Sequence, residues 1–412
     1  MDRHRSPRSE NLLRSEPPAR RPRGRFRSGS DHPGSRFPRH TIPLFTVPAA
    51  ILLVACSAEN PPPPWLQFPW PEADRIFQQD PHWVGGDGAY SIDLGDGRVL
   101  WLFGDSWVHP QGAGQRRGAR MVSNTLAIQH GYDPTDATVD FYWGSGSDGT
   151  PTAFFPDREG IRYWPGHGVR LGERLLLFLM HVASLETGLG FEVRSWDAVL
   201  VHNPDDDPSE WTVEWLDTPA APRQIIVGSG AVLLEEGHVY AFGAQEPGGS
   251  HPVFLARWTA ADAERGELGE PEWWGGAGWI PSPTGEGAVP VFDDGQTEFT
   301  VHRDPENGSY VEMQTLGFGP AAVVMRTAPA LNGPWTTPDT VLVPPQNDFP
   351  NIMVYQGKAH PYLAGADLVI TYCTNSFEFS DQISEPWIYI PRFARIRPGR
   401  ADTPTEHPGT GH

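Results

Sequence analysis

The sequence predicts an all-β protein, a five-bladed β-propeller with four-stranded blades around a central channel. Three observations predict it. The 412 residues include 45 glycines and 44 prolines, more than one residue in five, so turns recur and long helical patterns are scarce. One unit recurs: a Gly-rich lead-in, a strand, a turn, a stronger apolar strand, then further strands. It starts near 87, 164, 228, 298 and 357, roughly 60–75 residues apart. Five such units fill residues 65–398 and leave nothing for a second domain.

The chain before them reads as an address. Residues 1–55 hold 11 arginines against four acids, with no apolar period through residue 40, so a disordered basic leader is expected. Ile42–Ala55 is apolar but short and broken by proline, which suits a secretory signal better than a membrane span. Leu53-Val54-Ala55-Cys56 resembles the bacterial lipoprotein box, in which the cysteine is lipidated and becomes the new N-terminus. The leader is longer than that pattern, and a plain signal peptide or a buried segment is the other reading. Export to the cell envelope with a lipid anchor at Cys56 is therefore expected, at the outer membrane in a Gram-negative host. Residues 56–64, ending in four prolines, then form a stiff tether. A disordered tail is expected over residues 399–412.

Within the body, Gly88–Leu94 pairs with Val99–Gly104 across an Asp96-Gly97 turn, a strong hairpin signal. The other inner pairs are Val169–Leu171 with Leu175–Met180, Gly230–Leu234 with His238–Gly243, Thr297–His302 with Tyr310–Thr315, and Ala359–Leu363 with Leu368–Tyr372. Third strands follow at Asn124–Gln129, Ala198–His202, Val253–Trp258, Ala321–Arg326 and Trp387–Arg392. Outer strands are visible at Thr212–Leu216, Glu272–Trp274 and Thr340–Val343. The last unit lacks one, and Leu66–Phe77 is expected to supply it and close the ring. Asn203-Pro204…Asp207-Pro208…Trp211 and Leu331-Asn332-Gly333-Pro334-Trp335 occupy equivalent third-to-fourth-strand turns. An irregular β-sandwich is the competing architecture.

Several of these motifs occur in a recognisable order: GGDGAYSIDLGDGRVLWLFGDSW at 85–107, Tyr163-Trp164-Pro165-Gly166, Thr297-Glu298-Phe299-Thr300-Val301, Gly333-Pro334-Trp335-Thr336 and Tyr355-Gln356-Gly357-Lys358-Ala359-His360-Pro361. Together they resemble bacterial domain-of-unknown-function families built as five-bladed propellers. Those families are similar to the arabinanase and furanosidase propellers, and one branch includes endo-D-arabinanases. The resemblance spans roughly residues 80–395. It implies a glycosidase-like propeller with an acidic trio over the channel.

In a propeller, each blade's first strand begins on one rim and its second returns there, so polar residues at those points converge. Here they are Asp87, Asp105, His167, Ser229, Glu246, Glu298, Gln314, Lys358, His360 and Asn375, joined by Arg120 and Asn124 at the start of a third strand. Glycoside hydrolysis needs a proton donor and a second carboxylate. Asp87, in a Gly-Gly-Asp-Gly turn that lets a sugar approach closely, is the expected base or nucleophile. Glu298, opening an apolar strand, is the expected general acid, raised by desolvation. Asp105 or Glu246 is the third carboxylate. Arg120, Asn124, Trp164, His167, Glu246, Lys358, His360 and Asn375 are the expected substrate contacts, with Trp83, Trp107 and Trp164 as stacking rings. His167 and His360 holding a channel ion is a lesser alternative.

Other functions fit less well. Residues 56–412 carry 20 basic and 47 acidic side chains, a poor match to nucleic acid. No Gly-x-Ser-x-Gly elbow, Walker loop or Cys/His zinc pattern is present, so no cofactor and no metal site is expected. Cys373, in an apolar strand, reads as a packed core thiol. The expected partner is a polysaccharide or oligosaccharide substrate, the protein itself is expected to be a monomer, and membrane contact is expected through the lipid alone. The rival is a non-catalytic glycan- or protein-binding propeller, followed by a sialidase-like or lyase activity.

Overall fold

The computed structural model describes residues 65–186, 190–246, 249–365 and 367–398. The leader, Cys56, the tether and the tail lie outside them. Among the described residues, no helix is long and apolar enough to cross a membrane.

Five antiparallel sheets form the five blades. From the axis outwards, the first blade runs Trp83–Gly95, Arg98–Val108, Thr125–His130 and Thr138–Tyr142. The second runs Arg162–Leu171, Arg174–Ser184, Phe191–Val201 and Val213–Trp215. The third runs Ile225–Glu235, His238–Gln245, Val253–Thr259 and Glu272–Trp274, with Trp279–Pro281 beyond it. The fourth runs Thr300–Arg303, Tyr310–Gly317, Ala321–Ala328 and Asp339–Leu342. The fifth runs Ile352–Ala359, Leu368–Ser376 and Arg392–Pro398, and its outer strand is Trp65–Pro69 from the start of the body.

Ring closure is thus covalently discontinuous: Trp65 pairs with Pro398 and Pro69 with Ala394. The Asp74 carboxylate reinforces it, accepting from the Phe393 amide at 2.7 Å and pairing with Arg392 at 3.0 Å. Arg116 clasps the same joint from the first blade. Its guanidinium donates to the carbonyls of Val84, Gln382, Glu385, Pro386 and Ile388.

Five apolar clusters hold the ring, one between each pair of neighbouring blades, including the fifth with the first. At the closing interface Phe77 is wedged among Trp101, Phe103 and Phe393, with ring centroids 5.0–5.4 Å apart. Each fully buried ring of this kind contributes about 1.5–3 kcal/mol.

The expected strands need four corrections. The fifth blade's inner strand is Ile352–Ala359, not Ala359–Leu363, because Pro361 has no amide to continue the ladder. Its third strand is Arg392–Pro398, not Trp387–Arg392, since Pro386 and Pro391 keep that stretch a loop. Only Trp65–Pro69 of Leu66–Phe77 is strand; Pro71 then opens a short helix, where its missing amide costs nothing. The first blade has an outer strand, Thr138–Tyr142, which buries Val139 and Phe141. The two Pro-containing turns are equivalent, as expected. Trp211 and Trp335 each donate their indole N–H back to a turn carbonyl, Asp206 at 3.1 Å and Leu331 at 3.2 Å.

Four inner strands are bulged midway, at Gly86–Tyr90, Pro165–Gly168, Val227–Val232 and Tyr355–Lys358. A bulge turns a strand and re-aims its side chains. In each, the bulge separates the rim end, where the strand begins, from the stretch that follows.

Candidate functional site

Asp87 sits within the first blade's bulge. Its neighbours hold uncommon backbone conformations: Gly88 at φ 89°, Ala89 at 51°, and across the joint Gln356 at 55° and Tyr389 at 63°. Three non-glycine residues in the left-handed region around one carboxylate is a concentration of strain of the kind found at functional sites. The Gln356 side chain accepts from the Gly88 amide at 2.7 Å, and the Tyr389 carbonyl accepts from Gly86 at 2.9 Å. Gly104 lies opposite, where an added Cβ would come within 2.7 Å of the Asp87 Oδ1.

The Asp87 carboxyl is pushed up to about 8 by burial, and further by the charges of Asp105 and Glu298. The Tyr355 hydroxyl donates to its Oδ2 at 2.9 Å, and Tyr389 also donates, both acting downward. Asp105, at the end of the returning strand, is raised to about 6 by burial. The Trp164 indole N–H, from the second blade, donates to it at 2.9 Å and Arg162 lends positive charge, so it stays below Asp87. Two carboxyls on one rim are thereby set apart.

Glu298 lies close enough to raise Asp87 but is itself bound. Its carboxylate pairs at 2.8 Å with Lys358, whose side chain is wholly buried and lies 4.2 Å from the Tyr90 ring centroid. Lys358 is the one lysine in the chain. The free, desolvated acid expected at Glu298 is therefore an ion pair.

The remaining expected contacts divide sharply. Trp164 belongs to the site and is partly open, packing edge-on to Phe191. Arg120 is exposed on the short strand Arg120–Val122 beside the returning strand of the first blade. Glu246 is held between His251 at 2.8 Å and the Thr297 hydroxyl, next to Glu298. Asn375 accepts from Gln382 at 2.7 Å near the rim.

His167, His360, Asn124 and Lys358 are corrections. His360 is fully buried, bonded to Ser91 and to Thr371 at 2.8 Å, and burial holds it well below the usual imidazole range. His167 accepts from the Val232 amide at 2.8 Å, faces the Ser91 carbonyl, and is lowered to about 4 by burial. Both are neutral struts inside the channel. Alternation did put Lys358 and His360 on one strand, but the bulge moved both below the rim. Asn124 is consumed entirely by backbone: Phe155 N and O and Tyr163 O, at 2.7–3.0 Å, which ties the first blade to the second. Ser229 and Gln314 are likewise buried and bonded to nearby carbonyls, and Trp83 is core. Among the described residues no group of three His, Cys, Asp or Glu side chains could hold a metal ion. Cys373 is buried, and burial pushes its thiol up, so it is a packing residue.

Tyr355 and Tyr389 are the contacts that sequence reasoning missed. Tyr355 stands inside a motif noted in the sequence and at the edge of a bulge; Tyr389 sits in a loop with no local signal.

The chain belongs to the family described as a domain of unknown function, DUF5005, whose profile matches residues 72–398. No curated protein matches it in sequence. Among solved structures, it is similar to a presumed hydrolase from Bacteroides ovatus at TM-score 0.64 and 16% identity, over 81% of this chain and 90% of that one. It is also similar to an α-L-arabinofuranosidase from Lactobacillus brevis at TM-score 0.45 and 15% identity, over 79% and 93%. Identities this low speak for the fold alone.

Proposed function

We propose that this DUF5005 protein is a glycoside hydrolase whose acid and base are Asp87 and Asp105. One observation carries the reading: two neighbouring carboxyls on one rim, one raised to about 8 and the other to about 6. Near pH 7 the first keeps its proton and the second is ionised, the combination that glycosidic cleavage uses. Asp87 gives its proton to the departing glycosidic oxygen. Asp105 attacks the anomeric carbon or takes the proton of the attacking water. As the proton leaves, the hydroxyls of Tyr355 and Tyr389 stabilise the Asp87 carboxylate. The Trp164 indole holds Asp105 in place. This departs from the roles expected from the sequence: Asp87 becomes the acid in place of Glu298, Asp105 becomes the base, and Glu298 with Lys358 sets the charge beside the pair.

The substrate is a poly- or oligosaccharide, and the sequence resemblance puts arabinofuranose-containing glycans first. Reducing-sugar release by the purified protein from arabinan, arabinogalactan, xylan and fructan tests the assignment. Loss of release in both Asp87→Asn and Asp105→Asn supports it. Release surviving either substitution refutes that residue's role. Retention of a glycan without product makes the protein a binding propeller.

The same reading includes a lipid-anchored monomer in the cell envelope, supported by Leu53-Val54-Ala55-Cys56. Labelled palmitate incorporated by the native chain and lost in Cys56→Ser tests the anchor.

A further inference from the structure

The rim beside the carboxyl pair carries a group of large apolar side chains left in solvent. Phe318, Phe349, Phe377 and Phe379 are 68, 53, 49 and 59% exposed. They come from three separate segments: the turn closing the fourth blade's second strand, the lead-in to the fifth blade's inner strand, and the loop after the fifth blade's second strand. All three segments lie on the rim to which Asp87 and Asp105 belong, because second strands end there and inner strands begin there.

These rings are not loose. Phe318 packs on Phe377 with centroids 5.5 Å apart, Phe349 on Trp387 at 5.0 Å, and Phe379 on the nearly buried Trp107 at 6.0 Å. Pairing fixes each ring while leaving a face open to solvent. Exposing four such faces is unfavourable unless something covers them.

Continuity says what covers them. Trp107 is two residues beyond Asp105 on the same strand, and its indole N–H donates to Gln382 at 3.2 Å. The loop bearing Phe377, Phe379 and Gln382 also bears Tyr389, which donates to Asp87. The aromatic ledge and the carboxyl pair are therefore one surface. The charge of the ledge narrows its partner. Exposed Asp348, Glu378 and Glu385 are interspersed with the rings, on a body of 20 basic and 47 acidic side chains. An anionic bilayer or a polyanion is repelled there. Sugar rings, with an apolar C–H face and hydroxyls that donate to carboxylates, fit both features.

We propose that this ledge receives the continuation of an uncharged glycan chain whose linkage is cut between Asp87 and Asp105. The inference rests on the hydrolase reading and adds that the substrate is an extended chain crossing the fourth and fifth blades.

The test separates the two. Affinity electrophoresis of the full chain in gels containing arabinan, arabinogalactan, xylan or fructan measures binding without catalysis. Retardation by at least one polymer is expected in the native protein and in Asp87→Asn. In Phe377→Ala/Phe379→Ala, about tenfold weaker binding is expected, since each aromatic contact is worth about 0.5–1.5 kcal/mol. On the retarding polymer kcat/KM should fall by a similar factor, and on a trisaccharide cut from it should stay unchanged. The double phenylalanine variant alters exposed side chains only, and its unchanged melting confirms folding. Absence of retardation by every polymer overturns the ledge, as does unaltered retardation of the double variant. Native protein that co-sediments with phosphatidylglycerol vesicles through these phenylalanines overturns it in favour of a lipid surface. Loss of catalysis in Asp87→Asn with an indifferent ledge leaves the hydrolase standing alone; a binding ledge with catalysis intact in Asp87→Asn sinks the acid instead.

Discussion

Replacing Asp87 by asparagine should stabilise the fold, and only at high pH. The carboxyl titrates at about 8 in the folded chain, against 3.8 for an ordinary aspartate. A raised value means that folding favours the protonated form. The stability associated with that proton is fully present below about pH 4 and is lost as pH rises towards 8. The interval corresponds to on the order of 6 kcal/mol at about 1.4 kcal/mol per pH unit, reduced to roughly 3–6 because the group opens on solvent. Asparagine matches the neutral acid in shape, keeps an oxygen for the Tyr355 hydroxyl, and never ionises. In a domain of this size the difference should appear as a melting point roughly 5–10 °C higher than native at pH 9. At pH 4 no difference is expected. Scanning calorimetry of both proteins from pH 4 to 9.5 measures it, and other titrating groups cancel in the comparison. A gain that is the same at every pH, or a native protein more stable at pH 9, would show that Asp87 is not held protonated, and the acid assignment would go with it.

The pH dependence of kcat/KM should be bell-shaped, with limbs at about 6 and 8 that belong to the Asp105–Asp87 pair and a maximum near 7. A single ionisation across that range would contradict two coupled carboxyls. Glu298→Gln removes one of the charges that raise Asp87, so the alkaline limb should move below 8. It should also destabilise the fold by about 3–5 kcal/mol in urea unfolding, because buried Lys358 loses its partner. Arg116→Ala leaves five carbonyls without their donor and should cost about 3–5 kcal/mol by the same assay. Arg116→Lys should recover only part of that loss, since an ammonium lacks the planar fork.

What could be read from the sequence follows from how local each signal is. The Asp96-Gly97 hairpin ties Asp87 and Asp105 to one rim, because both lie within twenty residues of a turn whose chemistry is unambiguous. Repeat spacing likewise revealed five blades, and the missing fourth strand of the last unit pointed to the segment at Trp65. Bulges carry no comparable signal. Strict alternation puts Lys358 and His360 on one face at the rim; the extra residues between Tyr355 and Lys358 move both into the channel and bring Tyr355 up in their place. The partners of Asp87 were less accessible still. Tyr355 is 268 residues away, and Tyr389 reaches the site only because the N-terminal strand closes the ring and Arg116 holds its loop.

The one lysine shows what that distance conceals. Read along the chain, Lys358 looks like a hydroxyl contact, and Glu298, opening an apolar strand, looks like a proton donor raised by desolvation. Brought together by the fourth and fifth blades, each removes the reason for the other's expected role: the ammonium gives the carboxylate a counter-charge, and the carboxylate gives the buried ammonium its partner. The desolvation argument then passes to Asp87, which has hydroxyl donors but no cation bonded to it and faces two further carboxylates. Choosing which of several carboxyls keeps a proton therefore requires knowing which one lacks a cation, a property of the closed ring that no single blade carries.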